Sequence, residues 1–383
     1  MNVRLAVVTH NVVRGDGQGR ANYEIVRHAL KRGFSVHLFA DRVDEDLIAA
    51  GAVWKPIQPG FLRRINLIKV ASFAAQADRL LRKAHGEYDV VHGYGYCLSV
   101  PHDVNTSQFV HSAWRQSPAH TARQHRNAYG AYQWTYSALN AVWERKAYHR
   151  ARLVVAASST VREELKQIGI PEKRLRVILN GADLSEFHPA TRPEERERAP
   201  LKLPENVPLA LFAGDIKTPR KNLDTVLKAM ALPEVRASGL HLAVVGRAEG
   251  SPFPAMAEQL GIADRVHFLD FRRDIAAIMR AVDLFVFPSR YEACALVLAE
   301  ATASGLPIIT ARTTGGAELV TPEAGIQVDH TEDVHGIAAA MAQLAGDPDR
   351  RERMRQAAWQ RAQTNTWEHI AEQYLNVYNE FRK

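Results

Sequence analysis

Cysteine is scarce in this chain of 383 residues, and long apolar runs are missing from it. Only Cys97 and Cys294 are present, which gives neither a disulfide framework nor the ligand spacing of a zinc site. No apolar run reaches the length of about 18 residues that a membrane-spanning helix needs. The opening segment VRLAVVTH is a short apolar run followed by turn residues. This pattern predicts a first strand and does not fit a secretory signal peptide. These features favour a cytoplasmic protein.

Acidic residues are few in the first half of the chain. Residues 1–185 carry 26 Lys and Arg against 15 Asp and Glu, whereas residues 186–383 carry 23 against 27. A basic half joined to a mildly acidic half indicates that the first half meets an anionic partner. Hydrophobic residues make up 46% and charged residues 24% of the chain, which is ordinary for a globular enzyme. The length predicts two domains.

Short apolar runs alternate with helical patterns in two successive series. The first series begins with a strand at Leu5–Thr9, a glycine-rich turn at Gly15–Arg20 and a helix that stops at Gly33. The second begins at Leu209–Gly214 and continues through a helix near residues 222–231. Further strands are predicted at Val36–Phe39, Asp89–His92, Gln108–His111, Leu153–Ala156, His241–Gly246, Val266–Leu269, Leu284–Phe287 and Pro307–Thr310. Such alternation is typical of doubly wound domains, which bind ligands at the carboxyl ends of their strands.

The domain boundary is predicted within the turn-rich segment Asn180–Pro189. We place the first domain at residues 1–185 and the second at residues 186–365. The amphipathic segment near Trp367–Phe381 predicts a last helix, and residues 366–383 are expected to complete the first domain.

Two glutamates stand out in SRYEACALVLAEATASG, residues 289–305. An apolar strand pattern precedes this segment, so Glu292 is predicted in a strand-to-helix turn and Glu300 two helical turns further on. At about 1.5 Å per residue, the two positions are about 12 Å apart along the helix axis. That spacing suits two hydroxylated groups with a diphosphate between them. Solvated helix charges are the alternative, although an unpartnered Glu300 would be costly inside its apolar run.

Two strand-to-helix loops are candidates for holding the diphosphate. Arg220 and Lys221 stand just ahead of a predicted helix, so a phosphate site and a solvated basic helix start both fit. The second interpretation is weakened because cations near a helix N-terminus oppose the helix dipole. The turn at Gly15–Arg20 has the spacing GxGxG in place of the dinucleotide fingerprint GxGxxG, so it fits either a plain turn or a phosphate cradle. The Asp-x-Asp patterns at residues 44–46 and 347–349 lie in polar stretches and favour solvated faces over a metal site.

The glutamate pair, set in DLFVFPSRYEACALVLAEATASGLPII, resembles the donor-binding signature of the family 4 glycosyltransferases. The resemblance runs in order through nearly the whole chain and includes Asn180–Asp183 with Phe187 and Pro189, the loop Gly214–Lys221, Gly315 and Gly316 with Glu318, the segments Asp89–His92 and Phe109–His111, and Trp367 with Glu368. It implies the α/β GT-B fold, which has two Rossmann-like doubly wound domains with an interdomain cleft. The first domain would bind the acceptor and the second the nucleotide sugar.

The resemblance also implies a set of site residues. These are Glu292, His111, Arg220 and Lys221 as catalytic residues, and Gly17, Gly214, Arg220, Lys221, Ala295, Leu296 and Glu300 as donor-binding residues. Glu292 would hold hydroxyls of the transferred sugar, and Glu300 would hold those of the ribose. Arg220 and Lys221 would neutralise the leaving diphosphate, which is electrostatic stabilisation of the transition state. His111 would lie near the sugar and the reacting bond, although a histidine satisfied in the core or at its rim fits the sequence equally.

The backbone roles depend on positions where this chain departs from the family pattern. Gly17 would close on the diphosphate from the first domain, but Asp16 replaces the first glycine of the usual pair. The arginine that often follows the strand glycine is Asp215 here, which leaves Arg220 to carry that charge. The usual E-G-F-G reads Glu292-Ala-Cys-Ala295, where side chains replace hydrogens. We expect these side chains to narrow the pocket and to decide which sugar fits. The N–H groups of Ala295 and Leu296 would bind phosphate oxygens.

Two segments concentrate the positive charge of the first half. Residues 61–83 contain six Lys or Arg residues and one Asp. Residues 112–152 contain seven Lys or Arg residues and one Glu, and three of residues 132–136 are Trp or Tyr. Basic segments that carry aromatics fit an anionic membrane or a phosphorylated lipid-linked glycan. An ordinary helix pair with its apolar face in the core is the alternative. Single-stranded nucleic acid is the least favoured partner, and none is expected.

The expected activity is hexosyl transfer from a nucleotide-diphosphate sugar, with a UDP-sugar favoured, to an acceptor hydroxyl. The resemblance implies retention of configuration without a metal or other cofactor, and an acceptor that is a glycan or lipid-linked glycan of the cell envelope, as in lipopolysaccharide-type enzymes. The protein is expected in the cytoplasm or peripherally on the inner face of the cytoplasmic membrane. The alternatives are a nucleotide-sugar epimerase or glycoside phosphorylase on the same fold, and a catalytically silent scaffold that binds a glycan or a membrane.

Overall fold

The computed structural model describes residues 3–15, 17–58 and 66–382, which divide into two compact units. The first unit comprises residues 1–180 and 367–383, and the second comprises residues 181–366. The chain therefore leaves the first unit at Asn180, a few residues before the boundary placed at 185. Asp16 and the start of the basic segment, Phe61–Ile65, lie outside the described residues.

The first unit is built on a parallel sheet whose strands carry runs of buried aliphatic residues. Among the described residues its strands are β1 (Arg4–Val8), β2 (Asn11–Val12), β3 (Ser35–Ala40), β4 (Arg42–Val43), β5 (Val53–Pro56), β6 (Val90–Tyr94), β7 (His102–Ser107), β8 (Ala151–Ala156) and β9 (Leu175–Val177). The main sheet has the order β5-β3-β1-β6-β7-β8-β9, and β2 pairs separately with β4. The chain builds outward from β1 on one side and then crosses to the other side at β6. A topological switch point therefore lies between β1 and β6.

The second unit repeats this plan with fewer strands. Its strands within the described residues are β10 (Leu209–Ala213), β11 (His241–Val245), β12 (Val266–Phe268), β13 (Leu284–Val286), β14 (Ile308–Ala311) and β15 (Gly325–Val328). They form a parallel sheet in the order β12-β11-β10-β13-β14-β15. The switch point lies between β10 and β13, where Leu211 is in register with Phe285. The loops that leave these two strands are therefore the expected ligand-binding loops.

Helices connect the parallel strands. Those of the described residues are α1 (Gly17–Lys31), α2 (Glu45–Ala49), α3 (Asn66–Lys83), α4 (His111–Gln116), α5 (Thr121–Gln124), α6 (Ala128–Arg150), α7 (Ser159–Gln167), α8 (Leu223–Met230), α9 (Pro233–Ala237), α10 (Phe253–Gln259), α11 (Ile275–Ala281), α12 (Leu296–Ala303), α13 (Val334–Gly346), α14 (Pro348–Gln363) and α15 (Trp367–Glu380). Right-handed crossovers change sides of the sheet where the strand order reverses, so helices cover both faces. No helix of the described residues is long and apolar enough to cross a membrane.

Helix α1 begins earlier than the sequence pattern predicts. Gly17 is already helical, so the predicted turn at Gly15–Arg20 is wrong in its second half. A Cβ atom built on Gly19 would lie 2.9 Å from the Val13 carbonyl oxygen, so glycine allows the helix to start close to the preceding segment. The predicted stop at Gly33 is confirmed, because this residue has a φ of 81° and Phe34 donates its N–H to the Ala29 carbonyl at 3.0 Å.

The last helix, α15, is tied to the first sheet by a buried polar cluster. The Nδ1 atom of His92 lies 2.7 Å from the Tyr378 hydroxyl, and its Nε2 atom lies 2.8 Å from the Thr106 hydroxyl. Burial lowers the pKa of His92 to about 3, so the ring is neutral at physiological pH. Residues that are far apart in sequence therefore complete the core of the first unit.

One predicted strand is misplaced. Strand β7 ends at Ser107, so the strand predicted at Gln108–His111 is wrong, and His111 is the first residue of α4. The ladder with β8 ends where Ser107 is in register with Ala156, and no further residue pair extends it in the described chain. The chain turns away from the sheet at that point, and this turn brings His111 to the carboxyl end of β7.

Candidate functional site

A close ion pair joins the two loops at the switch point of the second sheet. The Nζ atom of Lys221, in the loop after β10, lies 2.5 Å from Oε1 of Glu292, in the loop after β13. Arg220 extends Nη1 to 3.5 Å from the same oxygen. The structure therefore brings together three of the residues that the sequence singles out, at the edge of the sheet where ligands of such folds bind.

The loop that carries the two cations is held in a defined shape. Pro219–Lys221 forms one turn of 3-10 helix, and Asn222 follows in the left-handed conformation with a φ of 68°. Asparagine adopts this conformation more readily than most residues. The buried Asn222 side chain donates to the carbonyls of Pro288, at 2.9 Å, and Thr331, at 2.6 Å. Asn222 thus fixes the cationic loop to the loop that carries Glu292.

Ser289 is a functional candidate that the sequence analysis does not single out. Its fully buried hydroxyl lies 3.0 Å from Oε1 of Glu292 and 3.0 Å from the Arg220 carbonyl. A hydroxyl has one hydrogen to donate, so it serves one of these acceptors at a time. Ser289 therefore positions both the carboxylate and the cationic loop.

Arg290 holds the same two loops together from the other side. Its guanidinium contacts both carboxylate oxygens of Asp224, each at 2.7 Å, and those of Glu332 at 2.6 and 2.9 Å. It also donates to the Pro219 carbonyl at 2.6 Å, and its backbone N–H donates to the Arg220 carbonyl at 2.9 Å. These charge-assisted hydrogen bonds raise the pKa of Arg290 above its ordinary value against the effect of burial. The sequence shows only a basic residue in a loop, since its partners are remote in the chain.

Burial shapes the electrostatics of the ion pair. Desolvation lowers the pKa of Lys221 from its ordinary value, and Arg220 lowers it further, whereas Glu292 acts in the opposite direction. Two cations share one carboxylate, so the cluster has an excess of positive charge. Such a cluster suits an anion that would be held between the two loops.

Glycines allow the Glu292 loop to pack tightly against the loop after β14. A Cβ atom on Gly315 would lie 2.0 Å from the Glu292 carbonyl oxygen, so a side chain there would displace this loop. Gly316 has a φ of 90° and lies against the buried Cys294. The backbone N–H of Ala295 donates to the Gly315 carbonyl at 3.0 Å. A phosphate oxygen would therefore compete with the Gly315 carbonyl for this N–H, and its role in phosphate binding stays a prediction.

The remaining donor-side residues follow the predicted elements. Helix α12 begins at Leu296, and N–H groups in the first turn of a helix have no acceptor within that helix. Glu300 is half-buried one turn further along the helix. Gly214 follows β10, and a Cβ atom there would lie 3.4 Å from Cγ of Lys221, so glycine leaves room for the lysine stem.

His111 belongs to the first unit, where it pairs with a buried carboxylate. Its backbone N–H donates to Oε1 of Glu144 at 2.7 Å, and its Nδ1 atom lies 2.6 Å from Oε2. A carboxylate only accepts, so Nδ1 carries the hydrogen, and in the neutral ring Nε2 holds the lone pair. Glu144 lies on α6 and is the one acidic residue in the basic segment 112–152. That isolation is the sequence feature that could have identified it.

A cavity of about 390 Å³ lies at the switch point of the first sheet. His10 after β1, Gly95 after β6, and His111 are among its lining residues. Nδ1 of His10 and Oε1 of Gln108 are buried there and lack a hydrogen-bond partner among the described residues. The exposed Gly17 opens α1, and its neighbour Gln18 lines the cavity. The cavity is therefore a candidate site for a polar ligand within the first unit.

Aspartates of both Asp-x-Asp patterns accept hydrogen bonds from other residues of the fold. Asp46 accepts the Tyr23 hydroxyl at 2.5 Å, and Asp44 accepts the Arg14 N–H at 3.0 Å. Asp347 caps α14 by accepting the Arg350 N–H at 2.8 Å. Across the part of the chain that the structure describes, no group of three or more potential ligands is placed to hold a metal ion.

Comparison with known proteins extends this picture to the whole chain. Residues 15–186 match the family model of Glycosyltransferase Family 4, and residues 193–361 match that of Glycosyl transferases group 1. The D-inositol 3-phosphate glycosyltransferase of Thermomonospora curvata is 30% identical to this chain, and the alignment covers 95% of this chain and 91% of that protein. The chain belongs to the family 4 glycosyltransferases.

Solved structures support the GT-B fold of this family 4 glycosyltransferase. WaaG, a glycosyltransferase involved in lipopolysaccharide biosynthesis, matches with a TM-score of 0.75 at 21% identity, over 98% of this chain and 99% of that one. Anabaena HepE, in complex with UDP and glucose, matches with a TM-score of 0.69 at 21% identity, over 99% of this chain and 100% of that one. The fold prediction of two Rossmann-like domains is thus confirmed. The comparisons favour a transferase over an epimerase, a phosphorylase or a silent scaffold, whereas the roles of the individual site residues stay predictions.

Proposed function

We propose that the protein transfers a hexose from a UDP-sugar to an acceptor hydroxyl with retention of configuration and without a metal ion. The single observation that carries this proposal is the cluster of Lys221, Arg220 and Glu292 at the switch point of the second sheet. The two cations would bind the diphosphate and stabilise its charge as it leaves. Glu292 would accept hydrogen bonds from hydroxyls of the transferred sugar, and Glu300 from those of the ribose.

The chemistry follows from which groups are available beside the ion pair. Glu292 is already engaged by Lys221 and Ser289, so it is better suited to orienting a sugar than to attacking an anomeric carbon. We therefore propose front-face transfer, in which the leaving phosphate helps to remove the proton of the acceptor hydroxyl. The paired His111 would hold the acceptor or the sugar in the first unit. The determinants of sugar choice would be Ala293 to Ala295, in the loop that packs against Gly315.

The acceptor is proposed to be a glycan or lipid-linked glycan of the cell envelope, reached at the inner face of the cytoplasmic membrane. Helix α6 supports this proposal, because Trp134 is 50% exposed and Val142 is 49% exposed on its surface. The Arg115 guanidinium lies 4.7 Å from the Trp134 ring centre, so an apolar face adjoins positive charge. Exposed aromatics beside cations are typical of proteins that bind anionic membrane surfaces.

A second candidate acceptor is a soluble phosphorylated cyclitol. The curated relative at 30% identity is named for transfer to D-inositol 3-phosphate, and a polar cavity adjoins His111 in the first unit. A phosphorylated cyclitol and a phosphate-bearing lipid-linked glycan both fit the excess of positive charge in the first half of the chain. Incubation with lipid-linked and soluble acceptors, each supplied with the same donor, distinguishes them.

The test of the proposed reaction is product analysis by proton NMR with a panel of nucleotide sugars, in buffer containing EDTA. The expected result is an acceptor-dependent product that keeps the anomeric configuration of the donor. An inverted product would overturn retention, and loss of activity with EDTA that returns on adding Mg²⁺ would overturn metal independence. An isomerised donor without acceptor, or release of sugar phosphate that depends on added phosphate, would overturn transfer itself.

A further inference from the structure

The two basic segments of the sequence converge on a second cavity in the first unit. Arg82 is in the last turn of α3, Arg150 ends α6, and Arg152 is the second residue of β8. With His85, these residues line a cavity of about 660 Å³. Its volume falls in the range of about 300–1,000 Å³ that is typical of sites for small organic ligands.

This basic cavity lies at the opposite edge of the first sheet from the cavity beside His111. It is lined by His102, the first residue of β7, and by Val91 near the start of β6. The cavity beside His111 is instead lined by residues that follow the ends of β1, β6 and β7. Parallel strands point in the same direction, so these two sets of residues lie at opposite edges. The basic cavity is therefore separate from the proposed reaction site in the first unit.

Positive charge in the basic cavity exceeds the negative charge that faces it. The lining carboxylate, Asp103, already accepts the Val91 N–H at 3.0 Å and pairs with Arg152 at 3.2 Å. Within the described residues, no carboxylate forms an ion pair with Arg82 or Arg150. Guanidinium groups without carboxylate partners beside a cavity are suited to binding phosphate through paired N–H donors.

Two of the cations are held in place by other contacts. Arg150 donates Nη1 to the Ser99 carbonyl, and the Arg152 guanidinium lies 4.5 Å from the centre of the Phe381 ring. Such contacts reduce the side-chain entropy that ligand binding would cost. His102 adds no charge to the cavity at neutral pH, because burial lowers its pKa to about 4. The positive charge therefore comes from the arginines.

Most of the remaining lining residues are apolar. Leu81, Val91 and Pro101 contribute aliphatic surface, and Tyr88 adds an aromatic ring. A ligand that fits both parts of the cavity has an anionic end and a flat or apolar body. This description differs from the site of the second unit, where the cations face a carboxylate that would bind hydroxyl groups.

We propose that the basic cavity binds a small soluble molecule that carries a phosphate group on an apolar body. Arg82 and Arg150 bind the phosphate, and Leu81 and Tyr88 contact the body. The site lies apart from the residues assigned to the transfer reaction, so it provides a place for a ligand that is neither the donor nor the acceptor.

The test is calorimetric titration of phenyl phosphate and of inorganic phosphate into the wild-type protein, the Arg82→Gln/Arg150→Gln variant and Lys221→Met. We expect phenyl phosphate to bind the wild type more tightly than inorganic phosphate does, and the double variant to bind it at least about tenfold more weakly. Lys221→Met should keep the binding of phenyl phosphate that depends on Arg82 and Arg150. Thermal unfolding of the double variant checks that it remains folded, which we expect because both arginines are exposed.

Three outcomes would overturn the proposal. One is the absence of phenyl phosphate binding to the wild type. Another is loss of binding in Lys221→Met with retention in the double variant, which would place the probe at the donor site. The third is sedimentation with phosphatidic acid vesicles that depends on Arg82 and Arg150, without any binding of phenyl phosphate. That result would indicate that the two arginines bind a lipid surface.

Discussion

Lys221 and Glu292 form an ion pair of 2.5 Å between loops that leave neighbouring strands of one sheet. The residues are far apart in sequence, and the parallel order of β10 and β13 brings them together. The pair keeps a lysine whose side chain is only 15% exposed beside its counter-charge, which offsets part of the cost of desolvation. If a diphosphate binds here as proposed, it would compete with Glu292 for the same cation, and a stronger pair would weaken donor binding.

Replacing Lys221 by Arg should extend donor binding to higher pH. In the proposed function the protonated side chain would bind the diphosphate, and burial lowers the pKa of Lys221, so the wild type should lose affinity at a lower pH than an ordinary lysine would. Arginine stays protonated across the accessible range. Calorimetric titration of UDP into both proteins at increasing pH checks this. Any change in the protonation of UDP itself affects both proteins equally, so the difference between them reports on residue 221. An identical alkaline loss of affinity in Lys221→Arg would contradict the assignment.

Removal of the Ser289 hydroxyl should reduce catalysis while the fold is kept. Hydrogen bonds to charged groups contribute about 1.5–3 kcal/mol, so Ser289→Ala should lower kcat/KM roughly tenfold to a hundredfold. Ser304→Ala is the matched control, because within the described residues the one hydrogen bond of that buried hydroxyl is to the Met279 sulfur, at 3.6 Å. The role of Ser289 would be refuted by equal steady-state rates for the two variants.

Arg290→Lys should destabilise the second unit and weaken donor binding. Lysine keeps the charge but lacks the planar fork that contacts Asp224 and Glu332. Glu332 is 59% exposed, so we expect a loss of about 2 kcal/mol, below the range for a fully buried pair. Arg312→Lys is the control, since Arg312 and Asp329 are 65% and 77% exposed and should contribute little.

Chemical denaturation with the midpoint and slope fitted separately measures these stabilities. If Arg290→Lys were as stable as Arg312→Lys, the two loops would not depend on this guanidinium. UDP affinity measured on the same samples separates a general loss of stability from misplacement of the cationic loop.

Glu144→Gln should impair turnover by releasing the His111 ring. The amide cannot accept two charge-assisted hydrogen bonds as the carboxylate does, so the orientation and tautomer of the imidazole would no longer be fixed. We expect kcat to fall at least about tenfold while UDP affinity is unchanged. Glu372→Gln is the matched control, because it alters another His–Glu pair, with His28, in the same unit. Equal kcat values for the two variants would indicate that the role of His111 is purely structural.

Trp134→Ala/Val142→Ala should weaken binding to anionic vesicles if α6 contacts the membrane. These two side chains are on the exposed face of the helix, and their removal deletes apolar surface without opening the core. Phe271→Ala is the control, since Phe271 is 62% exposed in the second unit. Sedimentation with phosphatidylglycerol vesicles measures the effect, and similar binding of both variants would count against membrane contact by α6.

The sequence predicts the donor-side loops because the information is local. Glu292 and Glu300 are predicted by one strand-to-helix pattern, and the structure has α12 where that pattern places it. Lys221 is recognised as a cation ahead of a helix. None of these features requires knowledge of a distant partner.

The structure identifies further residues whose roles depend on contacts with residues far away in the sequence. In the sequence, Ser289 and Arg290 look like ordinary loop residues. Their partners become apparent only when β10 and β13 lie side by side in the sheet. The engagement of the Ala295 N–H depends on Gly315, which arrives with another strand. His111 is placed by the early end of β7, and apolar periodicity cannot locate a strand end to within a residue or two.

Calorimetric titration of UDP-glucose and other UDP-sugars into the wild type and Lys221→Met tests the central claim most directly. The account predicts saturable binding of at least one UDP-sugar by the wild type and affinity at least about tenfold lower in the variant, since a buried charge-assisted contact is lost. Equal affinity in both proteins, or no UDP-sugar binding by the folded wild type, would contradict it.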